Sequence, residues 1–249
     1  MRYGFSLVEL SIVLVILGLL TGGILTGQSL IRAAELRSIT TDFNRYQTAV
    51  RSFRDKYFAM PGDMRNATRF WATDPDGCPT HAVQVTKKET CDGDGNGFFT
   101  DDAEAFRFWQ HLANAGLVEG SYSGVAGTGS STHAVIGLNV PTTKLSNVSF
   151  TANYFGITSG SATQFATEYG NIFEFGGSRS NGRTIDPILT PEEAWNIDTK
   201  IDDGKPGYGL LIAYNWNECT LAVRRIDLDA AYDLQRTDKP CSFYFRKLF

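Results

Sequence analysis

The sequence predicts an α+β protein in which a long N-terminal helical spine, membrane-spanning and then amphipathic, packs against a C-terminal antiparallel β-sheet domain. Three observations predict it. Residues 10–31 carry no charge, and about 22 residues of helix at ~1.5 Å each reach roughly 33 Å, enough to cross a bilayer core. Beyond that run Leu36, Ile39, Phe43, Tyr46, Val50, Phe53 and Tyr57 recur at spacings of three and four, the stripe of an amphipathic helix. The second half of the chain then shifts to Gly, Ser, Thr and Asn around short β-rich patches.

The spine reads as one helix through both media, residues 5–57, roughly 80 Å long at ~1.5 Å per residue. Pro61 and Gly62 mark its end. Arg32, Glu35, Arg37, Asp42, Arg45 and Arg51 are distributed around the stripe. Gly18, Gly22, Gly23 and Gly27 interrupt the apolar half, each costing about 1 kcal/mol relative to Ala in a water-exposed helix. Close packing of helices in a membrane is one reason to keep them, and local melting during assembly is another. The helix contains no proline, so any bend must come from the glycines. Glu9 is the anomaly: an uncompensated carboxylate inside an apolar run costs about 2.5–3.5 kcal/mol or more, so it needs a partner.

Residues 58–91 read as a polar connection with one short helical piece near 63–71. From Asp92 the sequence runs Asp-Gly-Asp-Gly-Asn-Gly-Phe-Phe-Thr, which matches D-x-D-x-N-G, the opening of a calcium loop whose alternate side chains supply oxygens. Calcium is therefore the expected ligand, held by Asp92, Asp94, Asn96 and the Phe98 carbonyl, with Thr100 at the ninth position. The twelfth is Ala103 where an EF-hand has glutamate, so Asp101, Asp102 or Glu104 must complete the set. Turn chemistry without a metal is the alternative reading of the same residues.

Asp101 with Glu104 makes a capping-box-like start for the next helix, Phe106, Trp109, Leu112 and Leu117 give it an apolar face, and Gly116 stops it. His111 reads as a half-buried structural histidine. Residues 147–154 and 171–175 read as strands, and 124–132 as an exposed loop. Thr190-Pro191-Glu192-Glu193 opens a helix with cap, proline and capping glutamate, and Gly204 ends it. Asp198, Asp202 and Asp203 form a second acidic cluster, open to two readings, a second cation site and a solvated turn. Residues 208–215, 219–225 and 242–245 read as three further short strands.

The formal charge of -4 and a pI near 5.4 give no sign of a nucleic-acid surface. His81, His111 and His133 stand in unrelated contexts, with no H-E-x-x-H, no G-x-S-x-G and no phosphate-binding glycine loop, so no enzymatic activity is expected. Cys78, Cys91, Cys219 and Cys241 are an even set in a chain whose few N-terminal positive charges favour a cytoplasmic N-terminus and a body beyond the membrane. Disulfides are therefore expected; of the three connectivities, loop economy favours Cys78 with Cys91 and Cys219 with Cys241.

Gly4, Phe5, Ser6, Leu7, Val8, Glu9 and Leu10, after a short leader and before a long apolar helix, resemble the class III signal of type IV pilins and type II secretion pseudopilins. The resemblance covers residues 1–57 strongly and the rest loosely. It departs from the family in its leader, where Arg2 and the initiator amine are the only positive charges. An ordinary signal anchor or a secretory signal peptide is the plainer reading, but a secretory apolar region spans about 7–15 residues and has no use for a buried glutamate. The resemblance implies cleavage between Gly4 and Phe5 by a prepilin peptidase, methylation of the Phe5 amine, and a role for Phe5 and Glu9 in assembly. It divides the chain into a leader at 1–4, a transmembrane and assembly helix at 5–31, its amphipathic continuation at 32–57 and a periplasmic or extracellular α+β domain at 58–249. It also lends calcium some support by analogy with calcium-binding pseudopilins. The expected function is a structural subunit of a type IV pilus-like filament, built at the bacterial inner membrane. Its partners would be other pilin or pseudopilin subunits, the peptidase and the assembly platform. A type II secretion pseudopilin is the alternative, and a membrane-anchored periplasmic enzyme or binding protein is the rival class.

Overall fold

The computed structural model describes residues 6–99 and 102–246. In chain order the elements are α1 (Leu7–Tyr57), α2 (Thr68–Trp71), α3 (Asp102–Asn114), β1 (Val148–Ile157), β2 (Glu168–Gly177), α4 (Pro191–Ile201), β3 (Leu211–Tyr214), α5 (Trp216–Cys219) and β4 (Ser242–Phe245). The expected α+β architecture is present.

The 51 residues of α1 extend roughly 77 Å at ~1.5 Å each and pass through Gly18, Gly22, Gly23 and Gly27 without a break. A Cβ added at any of the four meets nothing in this chain, so packing within the subunit does not require them. The helix stops where Phe58 adopts the left-handed conformation, φ 53°, and its amide closes on the Arg54 carbonyl at 2.8 Å. Exposure divides α1 in two. Its most apolar stretch is wholly exposed, whereas Ile39, Phe43, Tyr46, Ala49, Val50 and Phe53 are buried. Leu36 and Tyr57 sit half-buried at the ends of that stripe, so the three-and-four spacing marks the face that meets the domain.

Among the described residues the strands form one antiparallel sheet in the order β1-β2-β4-β3. The last strand in sequence therefore lies inside the sheet. Its Phe245 stacks on Phe43 of α1 with ring centroids 4.5 Å apart. Tyr46 meets Trp109 of α3 edge-on at 4.8 Å and Phe150 of β1 at 5.4 Å, so α1, α3 and the sheet share one aromatic core. Phe165, Tyr169, Ile172, Ile185, Ile212 and Tyr244 form a second, smaller cluster.

Four local expectations are corrected. The helical piece near 63–71 is reduced to α2, four residues long. Residues 124–127 of the expected exposed loop are buried, because the Ala126 carbonyl accepts from the Ala82 amide at 3.0 Å and from the Gln84 side chain at 2.8 Å. Residues 219–225 are not a strand: Asn215, left-handed at φ 63°, starts α5, and beyond it Thr220 makes only an isolated bridge to Tyr232. His111 is fully buried, not half-buried. Both expected disulfides form, Cys78 with Cys91 and Cys219 with Cys241.

Candidate functional site: the N-terminal helix and two acidic loops

At the start of α1 the Ser6 hydroxyl accepts from the Val8 amide at 3.3 Å, and one Glu9 carboxylate oxygen accepts from the Ser6 amide at 2.9 Å. This reciprocal cap satisfies an amide that a helix start leaves open. Further along, the hydroxyls of Ser11, Thr21, Thr26 and Ser29 fold back onto carbonyls of the preceding turn at 2.8–3.0 Å, which hides them from hydrocarbon. Glu9 is the only ionisable side chain between residues 6 and 31, and within the chain its carboxylate meets a neutral amide. The cleavage residues Gly4 and Phe5 lie outside the described residues.

Where the apolar run ends, Arg32 turns to the domain. Its guanidinium donates to both carboxylate oxygens of Glu193, at 2.6 and 2.8 Å, and to Glu35 at 3.2 Å. Glu193 is at the same time the capping glutamate of α4, accepting from the Thr190 amide at 3.1 Å while its own amide donates to the Thr190 hydroxyl at 3.2 Å. Burial would push the Glu193 carboxyl up, but the bonds from Arg32 and the Thr190 amide hold it below its usual value.

The first acidic loop differs from its sequence reading. Asp63, Asp94 and Glu104 each bring an oxygen within 4.8 Å of the other two. Asp63 accepts the amides of Gly95 and Gly97 at 2.5 and 2.8 Å, and Glu104 accepts the Asp94 amide at 3.0 Å. The positive φ of Gly95 and Gly97, 68° and 87°, lets the backbone turn these amides onto Asp63. A Cβ on Gly93 would lie 2.5 Å from the Asp63 backbone, so the two segments close only with glycine there. Asn96 donates its side-chain amide to Asp94 at 2.8 Å and accepts the Phe98 amide at 2.7 Å.

Asp92 points elsewhere: it takes the amide and hydroxyl of Thr68, at 2.9 and 3.1 Å, at the head of α2. Asp102 is held by the Ser131 hydroxyl at 2.6 Å and by Arg183. Of the expected set the structure thus gathers Asp94 and Glu104, and it adds Asp63, which pattern reading missed. Thr100 and Asp101 lie outside the described residues. Burial raises the Asp63 carboxyl above its usual value, with the neighbouring Asp94 charge adding to the effect against the two glycine amides. Three carboxylate oxygens gathered this closely are a donor set suited to a hard, oxygen-seeking ion.

The second acidic cluster also assembles, with Asp198, Asp202 and Asp203 each offering an oxygen within 4.8 Å of the others.

Residues 1–25 match the family model described as the prokaryotic N-terminal methylation motif. That motif is the class III signal of type IV pilins and pseudopilins, and the likeness covers residues 1–25 of the chain. Together with a helix long and apolar enough to cross a bilayer, it fits membrane anchoring. No curated protein and no solved structure matches the chain.

Proposed function

We propose that this chain is a structural subunit of a type IV pilus-like filament. A prepilin peptidase cuts it between Gly4 and Phe5, the Phe5 amine is methylated, and the subunit is assembled from the inner membrane with its α+β domain on the periplasmic side. One observation carries the reading: α1, whose most apolar stretch is left wholly exposed, begins with a single acid, Glu9, whose charge has no counterion among the described residues. A filament of bundled helices would cover that surface, and the amine of a neighbouring Phe5 would neutralise Glu9, since charges persist in hydrocarbon mainly by pairing. A type II secretion pseudopilin would use the same chemistry in a shorter periplasmic filament.

The test compares Glu9→Ala, Glu9→Gln and Gly4→Ala in cells. Both Glu9 variants should be processed and inserted normally, because the apolar run is unchanged, yet be missing from filaments sheared off the cell surface. Gly4→Ala should accumulate as an uncut precursor. Processed Glu9→Ala subunits that still build filaments in normal amounts would sink the pairing mechanism.

For the first acidic loop we propose calcium as the ligand, with Asp63, Asp94 and Glu104 as its carboxylates. Calcium should raise the melting temperature of the full chain in detergent micelles, because an ion binding only the folded state stabilises it. The rise should be smaller in Asp94→Asn; an equal rise in both would remove this site.

A further inference from the structure

The C-terminal end of α4 carries an acidic group that the filament reading does not use. Asp198 is 0 % exposed. Its Oδ2 accepts the Tyr232 hydroxyl at 2.8 Å, while its Oδ1 is buried without a hydrogen-bond partner, although the Gly204 amide faces the carboxylate. A buried carboxylate oxygen left unmatched is costly, and proteins rarely keep one without a ligand or a role.

The surroundings increase that cost. Asp202 and Asp203 bring oxygens within 4.8 Å of Asp198, and the carbonyl end of α4 adds partial negative charge. Among the described residues none of the three acids has an ion pair: Lys205, the nearest cation in sequence beyond the helix, feels the charge of Asp203 but turns its ammonium to Asp229 at 2.7 Å. The loop is nonetheless ordered around these side chains. Asp202 accepts the Leu210 amide through Oδ2, and Asp203 accepts the Lys205 amide through Oδ1 at 2.8 Å. Each of the two thereby keeps a second oxygen. A Cβ on Gly209 would collide with the Asp202 carboxylate, so the loop leaves room for that side chain at its own expense.

We propose that Asp198, Asp202 and Asp203 bind one calcium ion, with Asp198 Oδ1 as the buried ligand and the two loop aspartates closing the site from the solvent side. The donors are all carboxylate oxygens, one from the last turn of α4 and two from the irregular loop that follows it, which suits the larger and geometrically tolerant calcium better than magnesium, and waters fill the remaining positions. Bound there, the ion links the end of α4 to the entry of β3 through Asp202 and Leu210. It also links α4 to the 220–240 segment through Asp198 and Tyr232. This site is independent of the filament reading and of the Asp63 loop.

The competing account is a proton: burial, with Asp203 and Asp202 beside it, pushes the Asp198 carboxyl up to about 7, and a neutral acid would need no metal. Calorimetric titration of calcium chloride into the full chain in detergent micelles, stripped with chelator and held above pH 7.5, separates the two. Wild type is compared with Asp203→Asn and Asp198→Asn. Asp203 is exposed and an asparagine keeps its bond to the Lys205 amide, so this variant should melt like wild type in chelator. It should lose one bound calcium, or bind it at least about tenfold more weakly, because affinity follows the number of ligand charges. Asp198→Asn, which keeps an oxygen for Tyr232, should lose the same ion. Unchanged stoichiometry and affinity in Asp203→Asn overturns the proposal, as does a wild type that binds no calcium.

Discussion

His111 shows how much one buried side chain organises. Its Nδ1 accepts the Gly62 amide at 2.9 Å, its Nε2 lies 2.8 Å from the Thr90 hydroxyl, and that hydroxyl donates to Gln110 at 2.8 Å. The Gly62 bond requires a bare Nδ1, so the proton sits on Nε2 and the ring is neutral. Burial, then the charge of Arg107, lowers its pKa to about 3. Since the unfolded ring titrates near 6.5, the unfolded chain takes up a proton between pH 6.5 and 3 that the folded chain refuses. The His111 contribution is therefore complete above about 6.5 and shrinks as pH falls, by up to about 1.4 kcal/mol per unit. Asp198 acts in the opposite sense: its raised pKa makes the folded chain the better proton acceptor between its ordinary value and 7, which adds stability as pH falls. The wild-type profile sums both, so the difference between wild type and His111→Gln isolates the ring. Thermal melts should show the variant less stable at pH 7.5 and the gap narrowing toward pH 4.5. A gap constant with pH would mean that the ring's neutrality is not what the fold depends on.

Among the elements, α1 and α4 are joined by a side-chain fork that sequence alone did not reveal. The stripe from Leu36 to Tyr57 was legible because burial on one face imposes its own period. The capping box at Thr190 and Glu193 was legible because it is local. That Arg32 reaches the same Glu193 across 161 positions leaves no local trace, nor does the meeting of Asp63 with Asp94 and Glu104. The Pro61-Gly62 turn before Asp63 and the glycines at 93, 95 and 97 were the only available hints of a close approach. The strand expected at 219–225 failed for a similar reason: Val223 is left exposed, while Cys219 is bonded to Cys241. Because Arg32 and Glu193 are only part-exposed and meet through two bonds, Arg32→Ala should cost about 1 kcal/mol. Glu193→Ala should cost more, since it also removes the cap of α4, worth about 0.5–2 kcal/mol. A double-mutant cycle by denaturant unfolding checks this, and a coupling energy near zero would show that the two helices are held by packing alone.

At the scale of the molecule, the sheet order places β4 between β2 and β3, so the strand made last completes the core that the first helix begins. Phe245 stacks on Phe43 and also meets Phe150 at 5.7 Å, and the Cys241 backbone exchanges bonds with Leu189 at 3.0 and 3.1 Å. Such pairings join distant parts of the chain, and their loop-closure entropy must be offset before they contribute. Residues 220–240 make the problem acute, because among them only Thr220, Tyr232 and Pro240 are buried. The Cys219–Cys241 bridge, spanning 22 positions, removes most of that freedom from the unfolded chain, worth about 3 kcal/mol on the chain-entropy account. The Cys78–Cys91 bridge spans 13 positions and by the same account contributes nearly as much, but it closes a loop beside α2, far from β4 in the fold's connectivity. The two bridges should therefore differ in what their loss undoes more than in how much stability it costs. Replacing Cys219 and Cys241 by alanine should lower the denaturation midpoint and open the sheet at β4, freeing α1 around Phe43 to unwind and be cut by limited proteolysis after the exposed arginines at 37 and 45. Replacing Cys78 and Cys91 should lower the midpoint comparably and leave those arginines protected. Identical cleavage patterns from the two pairs would show that β4 stays docked without its bridge, and that the aromatic contacts to α1 suffice to hold it.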